Sequence, residues 1–188
     1  MGYYVNTSSC GGGTQPSYTC NNCPTIEYGR IRSAFLVKQS YYSTLLAGIT
    51  TASTWTTGVG NGNIIMIPQT QGSYDGGAVQ ELTGFGDSAT MNGNTTHTAE
   101  FTDVNYADNC DFWNAIRDSR EYIFGYRTSS MVHIPSSSAV ATITPKNTVA
   151  DDINSVVGWK VTAKWTDPDS PCGYTTPTTV FTQCIMNS

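Results

Sequence analysis

The chain has 188 residues and a formal net charge of −5, with 12% of residues charged, 38% hydrophobic and 11% aromatic. That length suits one domain, and the apolar share is large enough for a core, so the low charge does not mean disorder. The nine basic residues are scattered, which argues against tight binding of nucleic-acid phosphates, and no stretch reaches the roughly 20 apolar residues of a membrane span.

The polar share is carried by Thr, Ser, Asn and Gly. Thr favours strands while Gly and Asn favour turns, so the composition describes a mostly β chain of short strands. The start, Met1 to Thr7, has neither the basic nor the apolar region of a secretory signal. Met1-Gly2 with Asn6-Thr7 matches a myristoylation signal only loosely. The expectation is a protein made and folded in a cytoplasm. Residues 1–24 form a Cys/Gly/Asn/Pro-rich arm with little to bury, whose order would come from crosslinks, metal or partners.

From Gly29 the pattern becomes a strand, Ile31, Ser33, Phe35 and Val37 alternating with Arg30, Arg32, Ala34, Leu36 and Lys38. Ser40–Gly48 reads as a short helix or turn, and 50–58 as a Thr-rich run carrying Trp55. After the turn Gly60-Asn61-Gly62, residues 63–68 form a buried strand ended by Pro68. Gln69–Asn94 is punctuated by glycines and reads as a long mobile hairpin or loop, a kind of segment that is often functional.

Thr95–Val104 is the next strand, with His97, Ala99, Phe101 and Asp103 on one face. The one clear helix spans about 108–119, with Asp108 or Asn109 as its N-cap and Phe112, Ile116 and Ser119 on one stripe beside Trp113. Strands follow at 120–127, 131–134 and 139–144, the last stopped by Pro145. In 156–166, Val157, Trp159, Val161, Ala163 and Trp165 alternate with polar positions, predicting buried tryptophans and exposed Lys160 and Lys164. A Pro/Thr-rich tail bounded by Cys172 and Cys184 closes a single domain, 1–188, with no internal repeat.

No constellation points to catalysis. His97 and His133 are isolated and read as strand histidines half-exposed on a sheet. There is no G-x-S-x-G elbow, and the pairs Asp151-Asp152 and Asp167/Asp169 sit in turn contexts, Asp167-Pro168-Asp169-Ser170 being a plain turn signal. Gly11-Gly12-Gly13 and Gly84-Phe85-Gly86 lack the Lys and the strand–helix setting of a phosphate loop. Catalytic residues and bound organic cofactors are therefore expected to be none.

The cysteines are the informative set. Cys20-Asn21-Asn22-Cys23 has the spacing of a zinc ligand pair, and Cys10 supplies a third thiolate, with a fourth ligand from elsewhere. Three readings compete: free buried thiols, a structural zinc at Cys10, Cys20 and Cys23, and disulfides with Cys172–Cys184 as the local pair.

The order of features carries a resemblance. A Cys-bearing arm leads into Glu27-Tyr28-Gly29-Arg30-Ile31-Arg32-Ser33-Ala34-Phe35. A Trp precedes Gly62-Asn63-Ile64-Ile65-Met66-Ile67-Pro68. Thr83-Gly84-Phe85-Gly86, the helix Asn109-Cys110-Asp111-Phe112-Trp113-Asn114-Ala115-Ile116-Arg117 and the Trp159/Trp165 strand follow. Over about two-thirds of its length the chain resembles virion structural proteins of tailed phages of Bacteroidetes-type hosts, and the helix between strands resembles the tail-tube (major tail protein) family. The resemblance implies a β-sandwich or partial β-barrel with one flanking α-helix and long loops. It also implies rings, usually hexameric, stacked around a DNA-conducting lumen. The expected partners are copies of itself, other virion proteins and DNA that passes without specific binding, with no membrane. The expected location is the virion. The arm 1–24 and the segment 69–94 would make contacts between subunits, and Asp75, Glu81, Asp87, Glu100 and Asp103 would outnumber Lys/Arg on the inner wall. The family gives no catalytic residues to transfer. A capsid-decorating, head-fibre or adhesin-type module is the alternative reading, and a secreted disulfide-stapled lectin or hydrolase a third.

Overall fold

The computed structural model describes residues 27, 29–68, 70–82, 84, 91–117, 119–149, 157–175, 177, 180 and 181. It is mostly β, two antiparallel sheets with no closed barrel, consistent with the expected β-sandwich and flanking helix.

In chain order the elements are β1 (Ser33–Lys38), α1 (Tyr42–Ala47) after a single 3-10 turn, α2 (Ala52–Gly60), β2 (Ile64–Ile67), β3 (Thr70–Tyr74) and β4 (Ala78–Leu82). Then come β5 (Met91–Asp103), α3 (Cys110–Ile116), β6 (Tyr122–Arg127), β7 (Met131–His133), β8 (Thr142–Thr148), β9 (Gly158–Asp167) and β10 (Gly173–Thr175). One sheet has the order β10-β7-β6-β1-β2 and the other β3-β5-β9-β8, with β4 also paired to β5.

The first sheet is covered on both faces, which explains why β1 reads as a continuous apolar run. Ala34 and Leu36 face the sandwich interior with Phe101, Phe124, Trp159, Val161, Ala163 and Trp165. Phe35 and Val37 face a second core under α1 and α2, with Trp55, Val59, Ile64, Ile123, Val132 and Phe181. Phe35 meets Trp55 edge-on at 4.9 Å, and Phe181 lies 5.2 Å from Trp55. Among the described residues the second sheet has one covered face only. Along β9, Trp159, Val161, Ala163 and Trp165 are buried and Lys160 and Lys164 exposed, as the alternation predicts. We call this second sheet the bare sheet.

Two local readings change, and the Thr-rich run takes a form its sequence did not assign. The Thr-rich run at 50–58 is largely the helix α2, because Trp55 and Val59 share a buried face and Gly58 lets Ile64 and Tyr41 approach where a Cβ would lie 2.5 Å from Ile64. Thr56 returns its hydroxyl to Ser53 O at 3.0 Å, which accommodates Thr inside a helix. Pro145 does not stop its strand: β8 runs through it to Thr148, because β8 is an edge strand and needs no outward N–H there. The flanking helix α3 is shorter than 108–119. Asn109 is its N-cap residue without a side-chain cap bond and gives its Nδ2 to Asp103 Oδ2 at 2.8 Å instead.

Segment 69–94 takes the hairpin form in its described part. β3 and β4 lie end to end along the same edge of β5, Thr70–Tyr74 opposite Asp103–Ala99 and Ala78–Leu82 opposite Thr96–Met91. The break between them is the turn Asp75-Gly76-Gly77, with φ of +83° at Gly76 and +89° at Gly77, a conformation that favours glycine. β9 pairs β5 only over Thr95–Asp103, so β4 and the start of β5 extend past the body as a two-stranded arm.

Candidate functional site

Buried polar groups come first, since they are where chemistry would concentrate. His97 is 0% exposed rather than half-exposed. Its Nε2 lies 3.2 Å from Asp167 O, a carbonyl that can only accept, so Nε2 donates and Nδ1 accepts from the Tyr74 hydroxyl at 2.6 Å. The imidazole stacks on Trp165 at 5.4 Å, and burial raises the Tyr74 hydroxyl above its usual pKa. With both nitrogens committed and no nucleophile beside it, His97 locks the base of the projecting arm. Asp167 is not a solvated turn residue: it is buried, accepting from Ser136 N at 2.8 Å and Asp169 N at 3.3 Å.

Asp103, placed by sequence on an acidic wall, is buried under α3. Its carboxylate accepts from Asn105 N at 3.0 Å, Asn109 Nδ2 at 2.8 Å and Trp113 Nε1 at 2.8 Å. A buried carboxylate holding three donors is a structural clamp. His133 is half-buried, stacks on Tyr126 at 4.9 Å and is pushed below its usual pKa by burial. Its Nε2 is 3.3 Å from Thr128 Oγ1, which donates to Glu27 at 2.7 Å. Glu27 also accepts the hydroxyl and, at 2.7 Å, the N–H of Ser130. These bonds, the Ser130 hydroxyl foremost, hold the Glu27 carboxyl down to about 2 and fasten the chain beyond the N-terminal arm to the β6–β7 turn.

The metal-ligand expectation, Cys10, Cys20 and Cys23, lies outside the described residues, as does Cys184. Cys110 and Cys172 are exposed free thiols. Among the described residues no group of three His, Cys, Asp or Glu could hold a metal.

What the fold leaves open is strand edge. At one side of the sandwich the sheets are stitched by Ile31 and Gly72, which exchange N–H···O bonds of 2.9 and 3.2 Å, and by Thr70 N to Arg32 O at 3.3 Å. At the other side the Ile123–Val140 bridge and Ala141 N to Tyr122 O at 2.9 Å do the same. These stitches cover the edge beside β3 and the approach to β8. Among the described residues they leave two free runs on the bare sheet, β4 and β8. Every residue of β4 is exposed, including Val79 at 51% and Leu82 at 54%, and β4 has no Pro or Lys to discourage pairing.

Between the two runs lies the bare face, lined by Thr98, Glu100, Thr102, Thr142, Thr144, Lys146, Lys160, Thr162 and Lys164. Here Lys160 spans 3.3 Å to Glu100. The bare face thus carries three lysines and one glutamate, and the expected excess of carboxylates concerns an assembled inner wall. Asp103 is buried, Asp75 caps the Gly76-Gly77 turn through Gly77 N and Thr98 N, and Asp87 lies outside the described residues. Sequence reasoning missed the open edges, because an edge is a property of sheet order and not of any residue run. Ala78-Val79-Gln80-Glu81-Leu82 lacks period-two alternation and so held only a weak strand signal. In comparisons with known proteins, no family model, curated protein or solved structure matches the chain.

Proposed function

We propose that the chain is a non-enzymatic structural subunit that assembles by joining the bare sheets of neighbouring copies into a ring, the role of a tail-tube subunit in a tailed-phage virion. The observation that carries the reading is the pair of open runs. β4 and β8 lie on opposite edges of one sheet, and β4, β5, β9 and β8 alternate in direction. Placing β8 of one copy beside β4 of the next, with both sheets in the same orientation, therefore makes an antiparallel pair. A contact between two different surfaces repeats, and it closes into a ring when the rotation allows.

The offset between β4, level with the start of β5, and β8, level with its end, supplies the stagger that a closed sheet needs. The helical layer on the other sheet makes each subunit wider on that side, which favours placing the bare sheet on the inner wall. The wall would then be rich in hydroxyls, with three lysines and one glutamate per subunit, and DNA would pass along it without base-specific contacts. Stacking of rings, other virion proteins as partners and location in the virion belong to the same proposal.

The test is the mass and shape of the full chain by light scattering and negative-stain microscopy. Rings or tubes are expected, and the double variant Val79→Lys, Leu82→Lys should remain a folded monomer, since charged side chains on an edge block pairing. A wild-type protein that stays monomeric at high concentration and in the virion would overturn the reading in favour of a capsid-decorating or fibre module.

A further inference from the structure

The nine basic residues scatter along the sequence, but the sheet register gathers four of them on one face of a chain whose net charge is −5. Lys160 and Lys164 point outward from β9 and Lys146 from β8, while Arg30 stands past β3 and lines an open groove with Gln71, Ser73 and Lys160. All four are exposed, and Glu100 is the one carboxylate between them among the described residues. Asp75 and Glu81 lie toward the other end, in the turn and on β4.

Lys146 and Lys160 are direct partners in the β8–β9 register, and like charges opposite each other on neighbouring strands destabilise a sheet. Glu100 relieves one of them, at 3.3 Å from Lys160. That is the single ion pair among the described residues, so Lys146, Lys164 and Arg30 have no counter-charge there. An anion laid across the face would supply it. Lys160 and Lys164 are four residues apart on one strand, roughly 13 Å, and four strand spacings, roughly 19 Å, separate β8 from the chain at Arg30. An anion that spans such a patch is extended and repeats its charge.

Duplex DNA carries about one phosphate per 1.7 Å of its axis, so about eight pass over the 13 Å run. The hydroxyls of Thr98, Thr102, Thr144 and Thr162 stand between the cations as further donors to phosphate oxygens. The described part of the face holds no aromatic ring on which unpaired bases could stack, which disfavours a single strand.

We infer that this face holds the phosphate backbone of duplex DNA through Arg30, Lys146, Lys160 and Lys164, weakly and without reading its sequence. The inference goes beyond the assembly reading, since the face is complete in a single copy; in the assembled ring it would give the inner wall its contact with DNA. Ammonium groups on flexible stems fix no register on the duplex, so contact and sliding are compatible.

The test is fluorescence anisotropy of a short labelled duplex with the full chain, over a series of salt concentrations and below the protein concentration at which light scattering detects assembly. Binding is expected at low salt, equal for two unrelated duplex sequences, with log affinity falling against log salt at a slope of about −3 to −4, as four phosphate contacts require. Lys146→Gln with Lys160→Gln should flatten the slope by about 2 and weaken low-salt binding at least about tenfold. Glu100→Gln should tighten binding, a direction that a merely structural role would not give. Far-UV circular dichroism checks that each variant folds. The competitors are the same sequence as a single strand and alginate, a carboxylate polymer. Absence of binding at low salt, a slope unchanged in the double lysine variant, or displacement by either competitor more readily than by unlabelled duplex would each overturn the inference. If the wild type forms rings at higher concentration and does not bind duplex, the inference falls and the assembly reading stands. If it binds duplex through these residues and never assembles, the assembly reading falls and the inference stands.

Discussion

Replacing Asp103 by Asn tests whether α3 is held to the sandwich by a charged clamp. Asp103 is 4% exposed and Trp113 0% exposed, and the Trp113 indole N–H reaches Asp103 Oδ2 at 2.8 Å. Oδ2 also accepts from Asn109 Nδ2 at 2.8 Å and Oδ1 from Asn105 N at 3.0 Å. An amide at this position keeps one acceptor and turns an NH2 toward groups that are themselves donors. Asn109 is partly exposed and can turn to water, so the lasting loss is the indole bond. A hydrogen bond to a charged group contributes about 1.5–3 kcal/mol, and an orphaned buried donor costs a similar amount, so Asp103→Asn should cost about 2–4 kcal/mol.

Trp113→Phe removes the same donor from the other side, with an added loss of volume. The two changes should therefore be non-additive by about 1.5–3 kcal/mol in a double-mutant cycle. The assay is urea unfolding followed by far-UV circular dichroism, which does not depend on the deleted indole. The slope should be unchanged and the midpoint lowered. In a thermal scan the Asp103→Asn shift is roughly 2–4 °C per kcal/mol for a chain of this size. A coupling energy below about 0.5 kcal/mol would show that α3 is held by apolar packing alone and refute the clamp.

Other outcomes follow from the same geometry. Trp165→Ala, in the stack with Tyr74, His97 and Phe124, should cost about 3–5 kcal/mol in urea unfolding. Gly125→Ala should cost about 1–3 kcal/mol, because a Cβ there would lie 2.2 Å from the ring of Phe35, which is wedged against Trp55. The Glu27 carboxyl is depressed from 4.5 to about 2, so its fastening of the chain to the β6–β7 turn is complete above about pH 4.5 and is lost as pH falls through about 2. Hydrogen exchange at Ser130 N should rise across that window in the wild type and be high and pH-independent, after correction for the intrinsic rate, in Glu27→Gln.

Much of the sandwich is legible from alternation alone. β5 and β9 bury His97, Ala99, Phe101 and Asp103 against Trp159, Val161, Ala163 and Trp165, because a sheet covered on one face imposes period two on its strands. Legibility stops where tertiary context sets a residue's state. Thr-rich 50–58 has the propensity of a strand, but the pocket beneath Phe35 and Phe181 takes Trp55 from a helix. Pro145 reads as a terminator until β8 is known to be an edge. Asp103, Asp167 and His97 read as surface groups because sequence shows their polarity and not the donors and acceptors that the fold aims at them: an indole and an amide on Asp103, a backbone N–H on Asp167, a phenol and a carbonyl on His97.

The same limit explains why the candidate site was hidden. A catalytic site leaves its residue types in the sequence, whereas an assembly site made of backbone edges does not. The free N–H and C=O groups of β4 and β8 belong to any residues, and only the stitches at Ile31–Gly72 and Ile123–Val140 reveal which stretches of edge remain open. A fold that stitched both sides along their whole length would be a closed monomer with nothing to offer a neighbour. Among the described residues this one stops the stitching at Gly72 on one side and at Ala141 on the other. It extends β4 and the start of β5 past the body on a Gly76-Gly77 turn that only glycine readily adopts, and braces that turn from beneath with a fully buried histidine. At Gly77 a Cβ would meet His97 Nδ1 at 2.5 Å, so turn and brace fit only together. A rigidly based arm with exposed Val79 and Leu82 is costly for a solitary protein, because an apolar edge invites aggregation. The proposed assembly would remove that cost, because the neighbour's strand would cover the edge.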